Sequence, residues 1–366
     1  MKIGLFGGSF NPIHKGHIKI ARYAMKKLEL DKMIFIPTSI SPFKQKGKSV
    51  SGQDKINMIN LVLEPGMEVS DFEVKKGGVS YTFETIRYFK NLYKDDQLYF
   101  LIGSDNLPKL HKWEHIDEIV DTVNMVVFKR SKKFNKLNAK KYKLQILDNP
   151  IFEYSSTQYK KGYLNMVEDR VQTYIQSKGL YVEEIIHNSL SALRAKHSLY
   201  CADFAANLAK TINLSAKDAY LAGIMHDVAK EWSEEASRDF INAYAPEYNG
   251  IASHKLHQIC GYLWAKEYYL LENEAILHAI KVHTTMDDGT ENELSNLDKV
   301  LFIADKICHG RKAPGIQKIR ELVFKDFEAG FKEVVKLTYD FNIQKGVVFD
   351  KRAKQIYDKY LKIEEK

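Results

Sequence analysis

Cysteine, tryptophan and proline are scarce, with 3, 3 and 8 residues in a chain of 366. Cys201, Cys260 and Cys308 lie far apart and form no C-x-x-C pair, which fits a reducing cytoplasm better than a disulfide scaffold. No apolar run approaches the roughly 18 residues of a membrane span. The N-terminus reaches a glycine loop after only a few apolar residues, so neither a signal peptide nor a membrane protein is expected. There is no internal repeat, no low-complexity segment and no Gly/Pro/Ser linker. The net charge of +8 is carried largely by lysine, and no arginine-rich patch with interleaved aromatics accompanies it. The surplus reads as compositional bias, and nucleic acid is not an expected partner. What remains is globular, 45% hydrophobic and 28% charged, and long enough for two domains.

The two halves differ in periodicity. In the first, apolar strands alternate with helical patterns. Strands are expected at Lys2–Phe6, at Lys32–Ile36 ending at Pro37, at Leu98–Ile102 before Gly103, at Asn124–Phe128 and at Leu144–Asp148, with an extended stretch over Gly66–Phe72. Helices are expected from Ser51 to about Leu63, over Thr82–Tyr93 and over Leu164–Ser177, the last closing at Gly179. This alternation predicts a parallel sheet covered on both faces, with ligands outside the carboxyl ends of its strands. Beyond about Val182 only the 3.6-residue period persists, over His197–Lys210, Asp218–Glu231, His257–Leu271, Asn273–His283 and Leu297–Cys308. The expected architecture is an α/β Rossmann-like domain, residues 1–183, followed by an all-α domain, residues 184–366.

The run Gly7-Gly8-Ser9-Phe10-Asn11-Pro12-Ile13-His14-Lys15-Gly16-His17 stands directly behind the first strand. Glycines let backbone N–H groups approach an anion closely. A helix beginning near Lys15 or Gly16 places His14 and His17 at its N-terminus, where orphan N–H groups and the dipole favour phosphate. This strand–loop–helix resembles the H-x-G-H nucleotidylyltransferase superfamily, in which two histidines stabilise an α-phosphate under attack by another nucleotide's phosphate. Four further segments are similar to the bacterial nicotinate-nucleotide adenylyltransferase branch: Ser41-Pro42-Phe43-Lys44, Ser80 to Thr85, Ile102-Gly103-Ser104-Asp105 with Trp113 following, and Tyr154-Ser155-Ser156-Thr157.

The resemblance implies adenylyl transfer from ATP to nicotinate mononucleotide, with Mg²⁺ on the phosphates. Gly7, Gly8, Ser9, Phe10, His14, His17, Ser156, Thr157 and Lys160 would then bind ATP. Lys160 stands where the family usually has arginine; it keeps the charge and loses the bidentate fork. For nicotinate mononucleotide, Trp113 offers a flat face for the pyridine ring, Thr82 meets the carboxylate, Asp105 the ribose hydroxyls and Lys44 the phosphate. The nucleophile is already anionic, so the protein's task is positioning and electrostatic stabilisation.

In the second half His226-Asp227 closes an apolar segment, where an adjacent imidazole and carboxylate are costly to bury unless they coordinate or pair. His197, His257, His283 and Asp305 each fall on a separate helical pattern. His257 is preferred to His254 for the Gly261 that follows, His283 to His278 for its place at a helix end, and His309 reads as a surface residue. Such convergence is how helical bundles build metal sites. Four imidazoles and two carboxylates suit Fe, Mn, Co or Zn, and six ligands point to two ions bridged by Asp227. This ordering resembles the HD-domain phosphohydrolase superfamily, and around each motif the hydrolases that cleave diadenosine tetraphosphate to two ADP. The resemblance implies Asp227 as a catalytic residue and Lys230 and Arg311 as phosphate contacts. Hydrolysis of another nucleotide (a guanosine polyphosphate or a deoxynucleotide) or a purely sensory role are the alternatives for this half. The oligomeric state is open.

Overall fold

The computed structural model describes residues 1–39 and 50–361. Its chain divides into two compact units, Met1–Tyr174 and Ile175–Lys366.

The first unit is built on six parallel strands: β1 Lys2–Gly8, β2 Lys32–Pro37, β3 Met67–Val69, β4 Gln97–Gly103, β5 Asn124–Phe128 and β6 Gln145–Ile146. Their order is β3-β2-β1-β4-β5-β6. The central strands are apolar on both faces because helices cover both; Ile3, Leu5, Phe35, Ile36, Leu101, Val126 and Val127 are fully buried. The strand order reverses between β1 and β4, which opens a crevice at their carboxyl ends. Gly8 closes β1 and Gly103 closes β4, so the glycine loop and Gly103-Ser104-Asp105 both lie at that end.

Local chemistry adjusts several expected boundaries. Ser51 caps its helix by accepting the Asp54 N–H at 3.0 Å. That helix spans Gly52–Asn60 and stops short of Leu63, because the Val62 N–H turns back to Ile59 O in a tighter i−3 bond. Extended backbone covers only Met67–Val69, and a short helix, Phe72–Lys76, follows. The stretch expected as one helix over Leu164–Ser177 is two elements, a 3₁₀ turn at Leu164–Met166 and a helix at Asp169–Lys178, separated by extended Val167. The segment Ser104–Lys112, with Pro108 inside it, is a 3₁₀ helix that the sequence pattern did not indicate.

All assigned elements among the described residues of the second unit are helical. Its centre is the helix Asn296–Ile307, where Val300, Leu301, Phe302, Ile303, Ala304 and Ile307 are all buried. So long an unbroken run of apolar residues belongs in a core. The helix Ala192–Thr211 packs on Ala216–Met225 through Gly223; a Cβ there would lie 2.6 Å from Ala202 Cα, so only glycine permits this approach. The second of these helices ends at Met225 instead of running to Glu231, and the chain continues in i−3 bonds from Val228, Lys230 and Trp232. The pattern over His257–Leu271 resolves into a helix at Leu256–Leu263 and a π-type turn at Trp264–Tyr268. The helix Glu274–Val282 starts from Asn273, whose Oδ1 accepts the Ala275 and Ile276 N–H groups.

Candidate functional site

In the first unit His14 caps the helix Lys15–Leu28, and His17 occupies its first turn. Gly16 keeps the space between them open: a Cβ there would be tight, 3.1 Å from His14 Nδ1 and from Tyr154 Cβ. The two imidazoles stack with centroids 3.5 Å apart. His17 Nδ1 accepts the His14 backbone N–H at 3.1 Å, so the neutral His17 ring carries its hydrogen on Nε2. His14 is buried, and its Nδ1 has no hydrogen-bond partner. Burial, reinforced by the Arg130 charge, pushes His14 down to about 3. Burial, His14 and Arg130 likewise hold His17 well below the usual imidazole range. Both rings are therefore neutral near pH 7 in this state, able to donate hydrogen bonds without a fixed charge.

These histidines line a cleft with Phe6, Phe128, Lys129, Arg130 and Tyr154. Arg130, just past β5, went unread in the sequence; its only signal was a cation directly after a buried strand. The helix Ser156–Lys160 is capped by Ser155, and Ser156 Oγ donates to Pro12 O at 2.9 Å, fastening this helix start to the glycine loop. Thr157 is exposed and Lys160 half-buried in the same helix. Thr82 opens the helix Thr82–Leu92. Trp113 is half-buried and meets Phe100 edge-on at 6.4 Å. Asp105 is exposed, 3.9 Å from the Arg130 guanidinium. Lys44 lies outside the described residues.

In the second unit the structure brings His197, His226, Asp227, His257, His283 and Asp305 together. Asp227 stands at the centre, and its two oxygens face different partners. Oδ2 lies 3.5 Å from His226 Nε2 and 4.0 Å from His197 Nε2. Oδ1 lies 3.7 Å from His283 Nε2 and 3.8 Å from His257 Nε2. Asp305 Oδ1 completes the first group, 3.1 Å from His197 Nε2 and 3.7 Å from His226 Nε2. His254 is exposed, and His278 is engaged by Asp298 at 2.9 Å instead.

Three observations fit this cluster to metal binding. His197, His226 and Asp305, and likewise His226, Asp227 and His283, hold their ligand atoms within 4.8 Å of one another. His226 and His283 donate Nδ1–H to the carbonyls of Gly223 and Ile280, each at 2.7 Å, which leaves the Nε2 lone pairs facing the cluster. His226 Nε2 is fully buried with no hydrogen-bond partner. Electrostatics agree. Burial alone would raise Asp227, yet the neighbouring His226 and His283 imidazoles hold its carboxyl well below the usual range. Asp305 is held down in the same sense against its burial, by Lys306, His197 and His226.

Cations ring the cluster. Lys230 Nζ lies 3.0 Å from His257 Nε2, and Arg311 donates to Asp305 Oδ1 at 2.8 Å. Arg194 donates to Asp227 Oδ2 at 2.9 Å and Lys306 to Asp305 Oδ2 at 2.6 Å. The last two were missed in the sequence. Arg194 precedes His197 by three residues, which puts both on one helix face, and that spacing was the available signal.

The chain matches the Cytidylyltransferase-like family over residues 5–162 and the HD domain family over residues 194–309. It is 31% identical over 315 residues to the probable nicotinate-nucleotide adenylyltransferase/Ap4A hydrolase of Mycoplasma genitalium, an alignment covering 85% of this chain and 88% of that one. Its identity to the Mycoplasma pneumoniae protein of the same name is 30% over 353 residues, covering 93% and 100%. A probable nicotinate-nucleotide adenylyltransferase of Clostridium tetani is 38% identical over 197 residues, 49% of this chain and 98% of that one. With two such whole-length relatives and both domains present, this chain belongs to the nicotinate-nucleotide adenylyltransferase/Ap4A hydrolase family.

Proposed function

We propose that the chain is a bifunctional cytoplasmic enzyme. Residues 1–183 join ATP to nicotinate mononucleotide, giving nicotinate adenine dinucleotide and pyrophosphate. Residues 184–366 hydrolyse diadenosine tetraphosphate symmetrically to two ADP. The observation that carries this reading is the alignment, over 93% of the chain, with a relative named for both activities.

In the first reaction the anionic phosphate of nicotinate mononucleotide attacks the α-phosphorus of ATP, and the P–O bond to pyrophosphate breaks. His17, its Nδ1 occupied, turns Nε2–H toward the phosphoryl oxygens, and His14 supplies a second donor. Donors fixed before the reaction cost no reorganisation as charge develops. Gly7, Gly8, Ser9 and Phe10 bring backbone to the triphosphate. Ser156, Thr157 and Lys160 meet the departing pyrophosphate. Phosphate charge would be neutralised by Mg²⁺ when bound with ATP. Trp113, Thr82, Asp105 and Lys44 take the pyridine ring, carboxylate, ribose and phosphate of the second substrate. A site donating to a carboxylate favours nicotinate over nicotinamide, because the amide forfeits a charge-assisted bond.

For the second reaction His197, His226, Asp227, His257, His283 and Asp305 would hold two divalent ions, Asp227 serving both. Iron is the first candidate, with Mn, Co or Zn behind it. Such ions, when bound, polarise a phosphoryl oxygen and make hydroxide available near neutral pH. Lys230 and Arg311 then turn to the substrate's phosphates.

The test is metal analysis of the purified chain, with two assays. One follows pyrophosphate release from ATP with nicotinate or nicotinamide mononucleotide. The other is a hydrolysis screen over diadenosine polyphosphates, guanosine polyphosphates and deoxynucleotides. Equal efficiency with the two pyridine nucleotides refutes the nicotinate assignment. Preferred hydrolysis of a guanosine polyphosphate or a deoxynucleotide refutes the second.

A further inference from the structure

The ligand histidines of the second unit are not oriented alike. His226 and His283 each rest Nδ1–H on a backbone carbonyl at 2.7 Å, a strong and fixed acceptor. His197 has no such carbonyl. Its Nδ1 faces the Cys308 thiol, with Sγ 3.6 Å away. Arg311 Nη2 stands 3.2 Å from His197 Nε2 and 2.8 Å from Asp305 Oδ1, bridging the two. Asp305 Oδ1 also stands 3.1 Å from this Nε2, so a donor and an acceptor meet the same nitrogen; a ring that ligates an ion through Nε2 carries its hydrogen on Nδ1, pointing at sulfur.

Cys308 is held as a fixed partner would be. It is fully buried and caps the helix Asn296–Ile307, its N–H bonded to Ala304 O. Arg320 clamps the backbone on both sides, Nε donating to Ile307 O at 2.7 Å and Nη2 to Cys308 O at 2.9 Å. A neutral thiol sulfur is a weak acceptor.

We propose that Cys308 is a positioning residue that fixes the tautomer of His197, and through it the affinity of the ion position that His197 serves. A ligand imidazole gains basicity from the acceptor behind it, and loss of that partner typically lowers metal affinity 10–100-fold. His226 and His283 have that acceptor in a carbonyl, His257 has the Lys230 ammonium 3.4 Å from its Nδ1, and for His197 the group in that place is the Cys308 sulfur. The inference rests on reading the cluster as a two-ion centre.

The experiment is titration of the metal-free full-length chain with Co²⁺, followed by visible absorption, together with the rate of ion release to a chelator. Wild type should show two affinities. Cys308→Ala should weaken one of them about tenfold or more and leave the other in place. Cys308→Ser supplies a hydroxyl acceptor and should stay within a few-fold of wild type. Cys260→Ala, which removes a buried thiol bonded to Ser237 O, should leave both affinities unaltered. Wild-type isotherms for Cys308→Ala, equal weakening of both ions, or a serine variant as weak as alanine would each overturn the proposal. A wild-type chain that binds no divalent ion at all would instead overturn the metal reading of the cluster.

Discussion

His14 and His17 lie face to face, their ring planes 23° apart, with the backbone N–H of the first seated on Nδ1 of the second. One hydrogen bond thus closes the first helical turn and decides which nitrogen of His17 is left to donate. Replacing His17 by alanine removes a preorganised donor, and adenylyl transfer should fall by about 10²-fold or more. Steady-state kinetics with ATP and nicotinate mononucleotide check this, and a variant within a few-fold of wild type would remove His17 from the mechanism.

The same pair predicts an acid sensitivity. His14 titrates near 3 when folded, through burial and then Arg130, and near 6.5 when unfolded. The unfolded chain therefore binds more protons below 6.5. The stability this neutral ring contributes is complete above that pH and is lost as pH falls toward 3. The slope for His14 is at most about 1.4 kcal/mol per pH unit. Urea unfolding of wild type and His14→Asn between pH 7 and pH 5 measures it. The gap between the two proteins should narrow with acidity, and a gap independent of pH would contradict the assignment.

Asp227 offers one oxygen to His197 and His226 and the other to His257 and His283. Asp227→Ala should release at least one ion and abolish diadenosine-tetraphosphate hydrolysis, while adenylyl transfer keeps nearly all its rate. Both activities with metal stoichiometry, on this variant and on His17→Ala, test the separation. Retained hydrolysis would mean that the centre lies on other residues.

Gly223 is the contact point of two helices that carry His197 and His226. A methyl group added there meets the Ala202 backbone at 2.6 Å, and backbone cannot rotate away. Gly223→Ala should cost about 1–3 kcal/mol in stability, as overpacking does, and lower metal content because His226 moves with its helix. Thermal unfolding and metal analysis of the same sample give the two readings. An unchanged midpoint would show that the helices part without cost.

Much of this was legible from residue order. The doubly covered sheet could be read because its strands, such as Lys2–Gly8 and Gln97–Gly103, are continuous apolar runs bounded by glycine. The His-Asp pair stood out because burying both groups without a partner is costly. What escaped depends on tertiary bonds. The helix before His226 stops at Met225 while the His226 ring takes the Gly223 carbonyl, and no local propensity encodes that choice. The break at Val167 falls inside a stretch whose apolar spacing is helical throughout. Arg194, Lys306 and Arg130 went unread, because a cation at a helix end or after a strand usually faces water. Only the folded chain shows what they face.

His226 and His283 each follow the last residue of a helix, and each ring takes the carbonyl three residues back. Carbonyls in a last turn lack the amide partners that interior ones enjoy, and the end of a helix is where fraying begins. Here the groups most prone to fray are the ones that aim the ligands. Loading the centre with ions therefore amounts to capping two helices. Amides around Gly223 to Met225 and Ile280 to Val282 should exchange with solvent more slowly once ions are bound, and the grip on the ions should loosen wherever those two turns begin to melt.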